Sequence, residues 1–384
     1  MQTKKIIALT SLATLAGASW AQSPSEVRLY GAIDAGLAFI DNGAKSGSHT
    51  TAITSGVARP SSFGFAGTED LGNGMKAEFR LEAGFDSDTG AMKNYAGNPG
   101  SATPAAPGGA TVTGLFNRRA YVGLSGKFGT LSLGRDYTPV YWAALDSDAL
   151  GLTFYGNLQE SVVLSGTGSD RFGRVSNALF YLSPTIGGFT ARALVSLGSE
   201  SGGAPGTPPS KANRMLAASG KYAWNGFMVT AVYQQIDLPK VAGTPAAFTG
   251  ATGTRKDLVI GTRYSFGDWS VSTGGMRVQQ PTVADTDGSQ LWLGGTVQIG
   301  SGTVHANVQR LRQHMAAGPA QVADVYSLAY LYPLSKRTAL YASYGQVDNG
   351  TNGAFPLVSA DPSIAPGAAG ATVKALALGI RHTF

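Results

Sequence analysis

Apolar and polar residues alternate with period two along most of the chain. In Met75-Lys76-Ala77-Glu78-Phe79-Arg80-Leu81-Glu82-Ala83-Gly84-Phe85 the odd positions are apolar and the even ones mostly charged. A strand sends successive side chains to opposite faces, so this stretch has one apolar and one ionic face. The same alternation runs through Val27–Phe39, Phe189–Ala193, Leu258–Phe266 and Leu291–Ile299, and again through Thr303–Val308, Tyr326–Tyr332, Thr338–Tyr344 and Leu376–Phe384. It predicts an all-β chain of about 16 strands. Their centres fall near residues 33, 64, 80, 121, 133, 179, 193, 219, 231, 261, 273, 294, 307, 328, 342 and 378.

A soluble sandwich also alternates, with its apolar faces sharing a core. A transmembrane barrel turns its apolar face to lipid and its polar face to the lumen. Two features favour the barrel. The alternating segments are about 10 residues long, the length a tilted strand needs to cross a bilayer. The connectors also switch between short turns, such as Asp70–Gly74 and Asn225-Gly226, and long Gly-, Pro- and Ala-rich stretches, such as Asp86–Leu115 and Asp348–Ala371. The expected fold is therefore a transmembrane antiparallel β-barrel, and about 16 strands would leave a water-filled interior.

Composition agrees with this. The 384 residues include 53 glycines and only 14% charged residues, and cysteine is absent. No run of about 20 apolar residues, the length of a membrane-crossing helix, occurs past residue 25. Lys4 and Lys5, the apolar stretch Ile6–Ala16 and the small residues Ser19 and Ala21 read as a secretory signal peptide over 1–21, leaving 22–384 as one barrel domain. Loss of the two lysines lowers the formal charge from +6 to +4. Without cysteine there are no disulfides, thiol chemistry or thiolate metal sites.

Several motifs, in order, resemble the Gram-negative general porin family over nearly the whole mature chain. They are Val27-Arg28-Leu29-Tyr30-Gly31-Ala32-Ile33-Asp34, Gly67-Thr68-Glu69-Asp70-Leu71-Gly72-Asn73-Gly74-Met75-Lys76-Ala77, Arg118-Arg119-Ala120-Tyr121-Val122-Gly123-Leu124 with Leu133-Gly134-Arg135-Asp136-Tyr137-Thr138-Pro139, Ser183-Pro184, Leu334-Ser335-Lys336-Arg337-Thr338-Ala339-Leu340-Tyr341, and the ending Gly379-Ile380-Arg381-His382-Thr383-Phe384. The resemblance implies a 16-stranded barrel, usually a homotrimer in the outer membrane, that conducts small hydrophilic solutes and ions. It also implies that Phe384 is the signal read by the barrel assembly machinery. A third extracellular loop, roughly Tyr137–Phe172, would fold inward with the acids Asp146, Asp148, Glu160 and Asp170.

The family places a basic cluster on the wall opposite that loop, and its motif maps this cluster onto Arg118, Arg119 and Arg174. Parity with Val122 and Leu124 puts Arg119 in the lumen and Arg118 outward, an order that a bulge near the rim would reverse, so both are kept. Arg80 joins them by parity alone. Ser62 stands where the family commonly has a constriction arginine, with Arg59 three residues upstream at the expected rim, which weakens the wall cluster. Arg28, Arg80, Arg119, Arg192, Arg263 and Arg381 outnumber Glu78, Glu82 and Asp34 on inward positions, so the expected selectivity is weakly anionic.

Tyr181, Trp224, Trp269, Tyr326, Tyr330, Tyr332 and Tyr344 read as interfacial girdles, whereas Trp292 falls on inward parity and either touches solutes or packs within the wall. The four histidines, His49, His305, His314 and His382, sit beside no hydrolase or metal-ligand spacing. No enzyme, metal, cofactor or nucleic-acid chemistry is expected. The expected partners are outer-membrane lipid and lipopolysaccharide. A solute-specific channel of the same architecture is the alternative, against which stands the shortage of inward aromatics beyond Tyr30, Tyr121, Tyr341 and Trp292.

Overall fold

The computed structural model describes residues 26–45, 47, 49–93, 114–159, 173–198, 214–238, 253–279, 287–315 and 318–384. The expected leader, Glu160 and Asp170 lie outside the described residues. The strands are β1 (Glu26–Asp41), β2 (His49–Ser55), β3 (Ser62–Gly72), β4 (Met75–Gly84), β5 (Arg119–Gly126), β6 (Gly129–Tyr137), β7 (Arg174–Leu182), β8 (Phe189–Ser196), β9 (Met215–Trp224), β10 (Phe227–Leu238), β11 (Gly253–Phe266), β12 (Trp269–Gln279), β13 (Gly288–Ile299), β14 (Gly302–Gln313), β15 (Gln321–Pro333), β16 (Thr338–Asn349), the short pair β17 (Leu357–Val358) and β18 (Ser363–Ile364), and β19 (Val373–Thr383). Among the described residues one α-helix, α1 (Pro139–Ser147), lies between β6 and β7.

β2 and β3 are two halves of one barrel strand. Ala35–Asp41 of β1 pairs with β2, and Glu26–Ala32 pairs with β3. β1 also pairs antiparallel with β19, from Ala32↔Thr383 to Asp41↔Lys374, which closes a barrel of sixteen strands. Phe384 completes the seam, since Gly31 N–H donates to its carbonyl at 3.0 Å and its own N–H donates to Gly31 O at 3.1 Å. Closure leaves no sheet edge, the condition for a strand-built structure in lipid.

Each expected strand centre falls inside an observed strand. The turns after β3, β5, β9, β11 and β13 contain two residues each, and the longer connectors occupy the opposite rim. Asn73-Gly74 (φ 54° and 76°) and Asn225-Gly226 (φ 51° and 81°) take the left-handed backbone that a two-residue hairpin requires.

The wall is apolar outside. Leu29, Val122 and Leu291 are 58%, 59% and 62% exposed, and Leu37, Leu133, Leu258, Leu328 and Leu378 share that face. Trp224, Trp269, Phe266, Tyr264 and Tyr332 cluster, exposed, near the short-turn rim. Inside, the alternation fails in two patches, the smaller formed by Val175, Leu194, Met215 and Ile236 on β7–β10. Val232, Val259, Met276, Val278, Leu311, Val325 and Val347 occupy inward positions of β10–β16 and are buried. Leu150, Leu152, Phe154, Tyr155 and Leu158 from the segment after α1 cover them. A strand covered on both faces needs no polar side, so these stretches read as nearly continuous apolar runs.

Candidate functional site

α1 forms where local chemistry favours it. The Thr138 hydroxyl caps it by accepting from Tyr141 N–H, and Pro139 supplies a preset φ in the first turn. The helix packs against β9, β10 and β11, and Lys221 of β9 pairs with Asp146 at 3.2 Å. The chain then winds around Asp148, whose carboxylate accepts from Leu150 N–H (3.0 Å), Leu152 N–H (2.8 Å) and Leu158 N–H (3.3 Å).

Wall residues far away in sequence hold this winding. Arg263 donates to Asp148 O (2.6 Å), Gln309 and Ser327 donate to Gly156 O (2.5 and 2.9 Å), and Tyr155 N–H donates to Ser343 Oγ (3.0 Å). These partners lie on the wall face opposite the exposed apolar band. The segment therefore rests on the inward face of β11 and β14–β16, over its apolar side chains and bonded to its polar ones.

On the arc of β3–β8 the arginines named from sequence converge on Tyr137. Arg118 Nη2 and Arg174 Nη2 both donate to its hydroxyl, at 2.7 and 2.9 Å, and the Arg119 and Arg174 guanidiniums lie 5.5 and 4.6 Å from its ring centre. Tyr137 in turn stacks on Tyr141 of α1 at 4.0 Å. Arg119 is paired with Asp136 at 2.7 Å, and Arg118 with Glu82 at 2.6 Å.

Simple parity misplaces Arg118. Its N–H donates to Glu82 O while Arg119 is registered opposite Glu82, so two residues face one, as in a β-bulge. Both side chains therefore fall on the same inward side, and Arg118 is not turned to lipid. Arg80 does not join the Tyr137 group; its guanidinium lies 5.4 Å from the Tyr30 ring centre. Arg192, counted on the inward face but not singled out from sequence, sits 4.6 Å from the ring centre of Trp142 on α1.

Arg80, Arg119 and Arg192 line a cavity of about 400 Å³ with Glu78, Tyr121 and Trp142. A second cavity of about 290 Å³, with Glu26 and Arg28, shares Glu78, Arg80 and Tyr121 with the first and extends it toward the short-turn rim. Arg119 is held by Asp136, whereas Arg80 and Arg192 have no ion pair among the described residues. The ring beneath each guanidinium, Tyr30 under Arg80 and Trp142 under Arg192, engages one flat face and uses none of its N–H donors.

Three further expectations need correction or resolution. Asp148 presents no charge to the cavity, because it is 0% exposed and its oxygens are taken by backbone N–H groups. Burial pushes its carboxyl up to about 6, against the lowering effect of those bonds. Arg59 is not at the rim. It lies in the 56–61 insertion between β2 and β3, where Val57 and Ala58 N–H groups donate to the inward carboxylate of Asp34 and Arg59 comes close enough to Arg381 for their charges to interact. Trp292 packs within the wall, 4% exposed in the cluster that includes Phe154 and Leu150.

A closed sixteen-stranded barrel with a charged inner arc is the architecture of a channel. The family model of the Gram-negative porins matches residues 8–352, and the chain belongs to that family. Outer membrane porin protein 32 of Delftia acidovorans is 28% identical over 98% of this chain and 99% of its own length. An outer membrane porin protein of Bordetella pertussis is 27% identical over 89% of this chain and 93% of its own. Among solved structures, the anion-selective porin from Comamonas acidovorans aligns with a TM-score of 0.78 at 26% identity, covering 94% of this chain and all of that one. The chain is thus an outer-membrane porin, a channel built as a sixteen-stranded barrel.

Proposed function

We propose that the channel passes small hydrophilic solutes with a preference for anions, and that the segment from Thr138 onward is an inward-folded extracellular loop that narrows it. The observation that carries this reading is the pair Arg80 and Arg192, guanidiniums with no ion pair among the described residues, on a cavity whose acids are Glu78 and Asp136, the latter held by Arg119. A low-dielectric wall strengthens the field of such charges, so a passing anion is stabilised and a cation repelled. Arg28, Arg59 and Arg381 extend the positive lining, and Arg59 supplies charge that Ser62 does not. The similarity to an anion-selective porin supports the same sign. Asp146, neutralised by Lys221, opposes it little.

The same reading includes a signal peptide over 1–21, a single barrel domain over 22–384, a homotrimer, and Phe384 as the mark for the assembly machinery. The backbone bonds between Phe384 and Gly31 at the barrel seam form only in the closed product, which supports this reading. Reversal potentials in a KCl gradient test the selectivity. A potential on the chloride side supports it, and one on the potassium side refutes it.

A solute-specific channel is the second reading. Trp142, Tyr121 and Phe180 lie beside the arginines, more aromatic surface than the inward strand positions alone supply. Block of the chloride current by one class of organic anion, at concentrations where others have no effect, would favour it.

A further inference from the structure

The inner wall beside the arginines is scooped out along β6. Leu131 and Leu133 are exposed on the outer face of that strand, so Thr130, Ser132 and Gly134 are its inward residues, and none is bulky. Register sets Tyr121 of β5 beside Gly134, and Phe180 and Leu182 of β7 beside Ser132 and Thr130. Gly123, the next inward residue of β5, registers with Ser132 and carries no side chain. A trough with a hydroxyl floor therefore runs between two aromatic walls, Tyr121 and Phe180, within the cavity of about 400 Å³.

Arg192 closes one end of the trough. It registers directly opposite Leu182 and diagonally beside Phe180 on the same inward face. Trp142 lies under it at 4.6 Å, and the acids near enough to act on its charge, Asp146 and Asp136, are already paired with Lys221 and Arg119. The charge of the cavity sets the valence of a guest. Arg80, Arg119 and Arg192 face Glu78 and Asp136, which leaves one positive charge uncompensated. A single carboxylate neutralises it, whereas a second would approach Glu78 or Asp136 at a cost that low-dielectric walls enlarge. A carboxylate also matches the planar donor fork of arginine. A flat ring gains from aromatic walls what a puckered ring of similar size does not.

We propose that the trough is a subsite for aromatic monocarboxylates. The ring lies over Ser132 between Tyr121 and Phe180, and the carboxylate takes the N–H edge of Arg192. This rests on the anion-preferring channel and gives its solute-specific form a substrate class. A subsite on the conduction path must release its guest, so brief interruptions of the current are its signature.

The test uses the full-length protein in planar bilayers, with chloride current recorded while benzoate, cyclohexanecarboxylate or phthalate is added to one side at neutral pH. Benzoate should half-block at a concentration at least about threefold below that of cyclohexanecarboxylate, which has the same charge and nearly the same size but no aromatic face. Phthalate, with a second charge, should block no better than benzoate. Phe180→Leu should bring benzoate and cyclohexanecarboxylate to equal potency, and Phe180→Tyr should keep the difference. Arg192→Gln should weaken both together. Each comparison is a ratio within one protein, so altered conductance or channel number cancels. Equal block by the two monocarboxylates in the unaltered protein would overturn the proposal, as would a preserved difference in Phe180→Leu or stronger block by phthalate. A cation-preferring channel overturns the anion reading and this subsite together, whereas an anion-preferring channel indifferent to the ring overturns the subsite alone.

Discussion

Replacing Arg80 and Arg192 by glutamine removes the two unpaired charges from the cavity wall while leaving the ion pairs of Arg118 and Arg119 in place. An ion passing ~6 Å from a guanidinium in water feels about 0.7 kcal/mol. A Debye length of ~10 Å at 0.1 M salt reduces this to about 0.4 kcal/mol. Each replacement acts oppositely on anion and cation, so the permeability ratio changes by about 0.8 kcal/mol, a factor of roughly three to four. The double variant should therefore move toward cations by roughly tenfold. Reversal potentials in planar bilayers read this directly, and the same measurement at 1 M salt is an internal control, because a screening length of ~3 Å should erase most of the effect. An unchanged ratio at low salt, or a shift toward anions, would mean that these arginines do not border the ion path.

Other substitutions probe the structure behind that lining. Arg119→Gln leaves Asp136 without its partner, so it should shift selectivity toward cations as far as loss of Arg80 does, and Arg119→Gln/Asp136→Asn should restore most of the difference. Gly156 has φ +74°, and an added Cβ would run into Ser327 Oγ. Gly156→Val should therefore dislodge the packed segment, seen as larger conductance and noisier open-channel current, whereas Ser327→Ala should have little effect. Asp148 titrates near 6 instead of its ordinary 3.8 because it is buried. A raised carboxyl binds its proton more tightly in the folded protein, so the segment is most stable below pH 4 and loses about 3 kcal/mol as pH rises past 6. Hydrogen exchange at Leu150, Leu152 and Leu158, corrected for intrinsic rates, should show greater protection at pH 4 than at pH 7. The reverse order would refute the sign.

The wall was legible because each strand meets lipid on one face, and that requirement writes itself into alternate residues. Leu29, Val122 and Leu378 can be assigned outward from alternation alone. The interior was legible only where water or polar groups line it. Upper positions such as Val259, Leu311 and Val325 break the pattern because a loop covers them, and nothing in their own strands announces the loop. The folded path of that loop depends on distant partners: Tyr155 meets Ser343 across 188 residues, and Gly156 meets Ser327 across 171. Asp148 therefore read as a pore acid although it organises the turn beneath it. Arg118 shows a smaller gap, since one bulged residue reverses a face that counting assigns. Arg59 was placed at the rim because the inserted 56–61 segment has no periodicity to follow.

Stepwise current in a planar bilayer containing the purified full-length protein is the most direct measurement. Discrete, long-lived increments with a linear current–voltage relation at low voltage are expected of a water-filled barrel whose wall faces lipid. A bilayer that stays electrically silent while folded protein is inserted in it would contradict the wet interior on which the selectivity, the packed loop and the charged arc all depend.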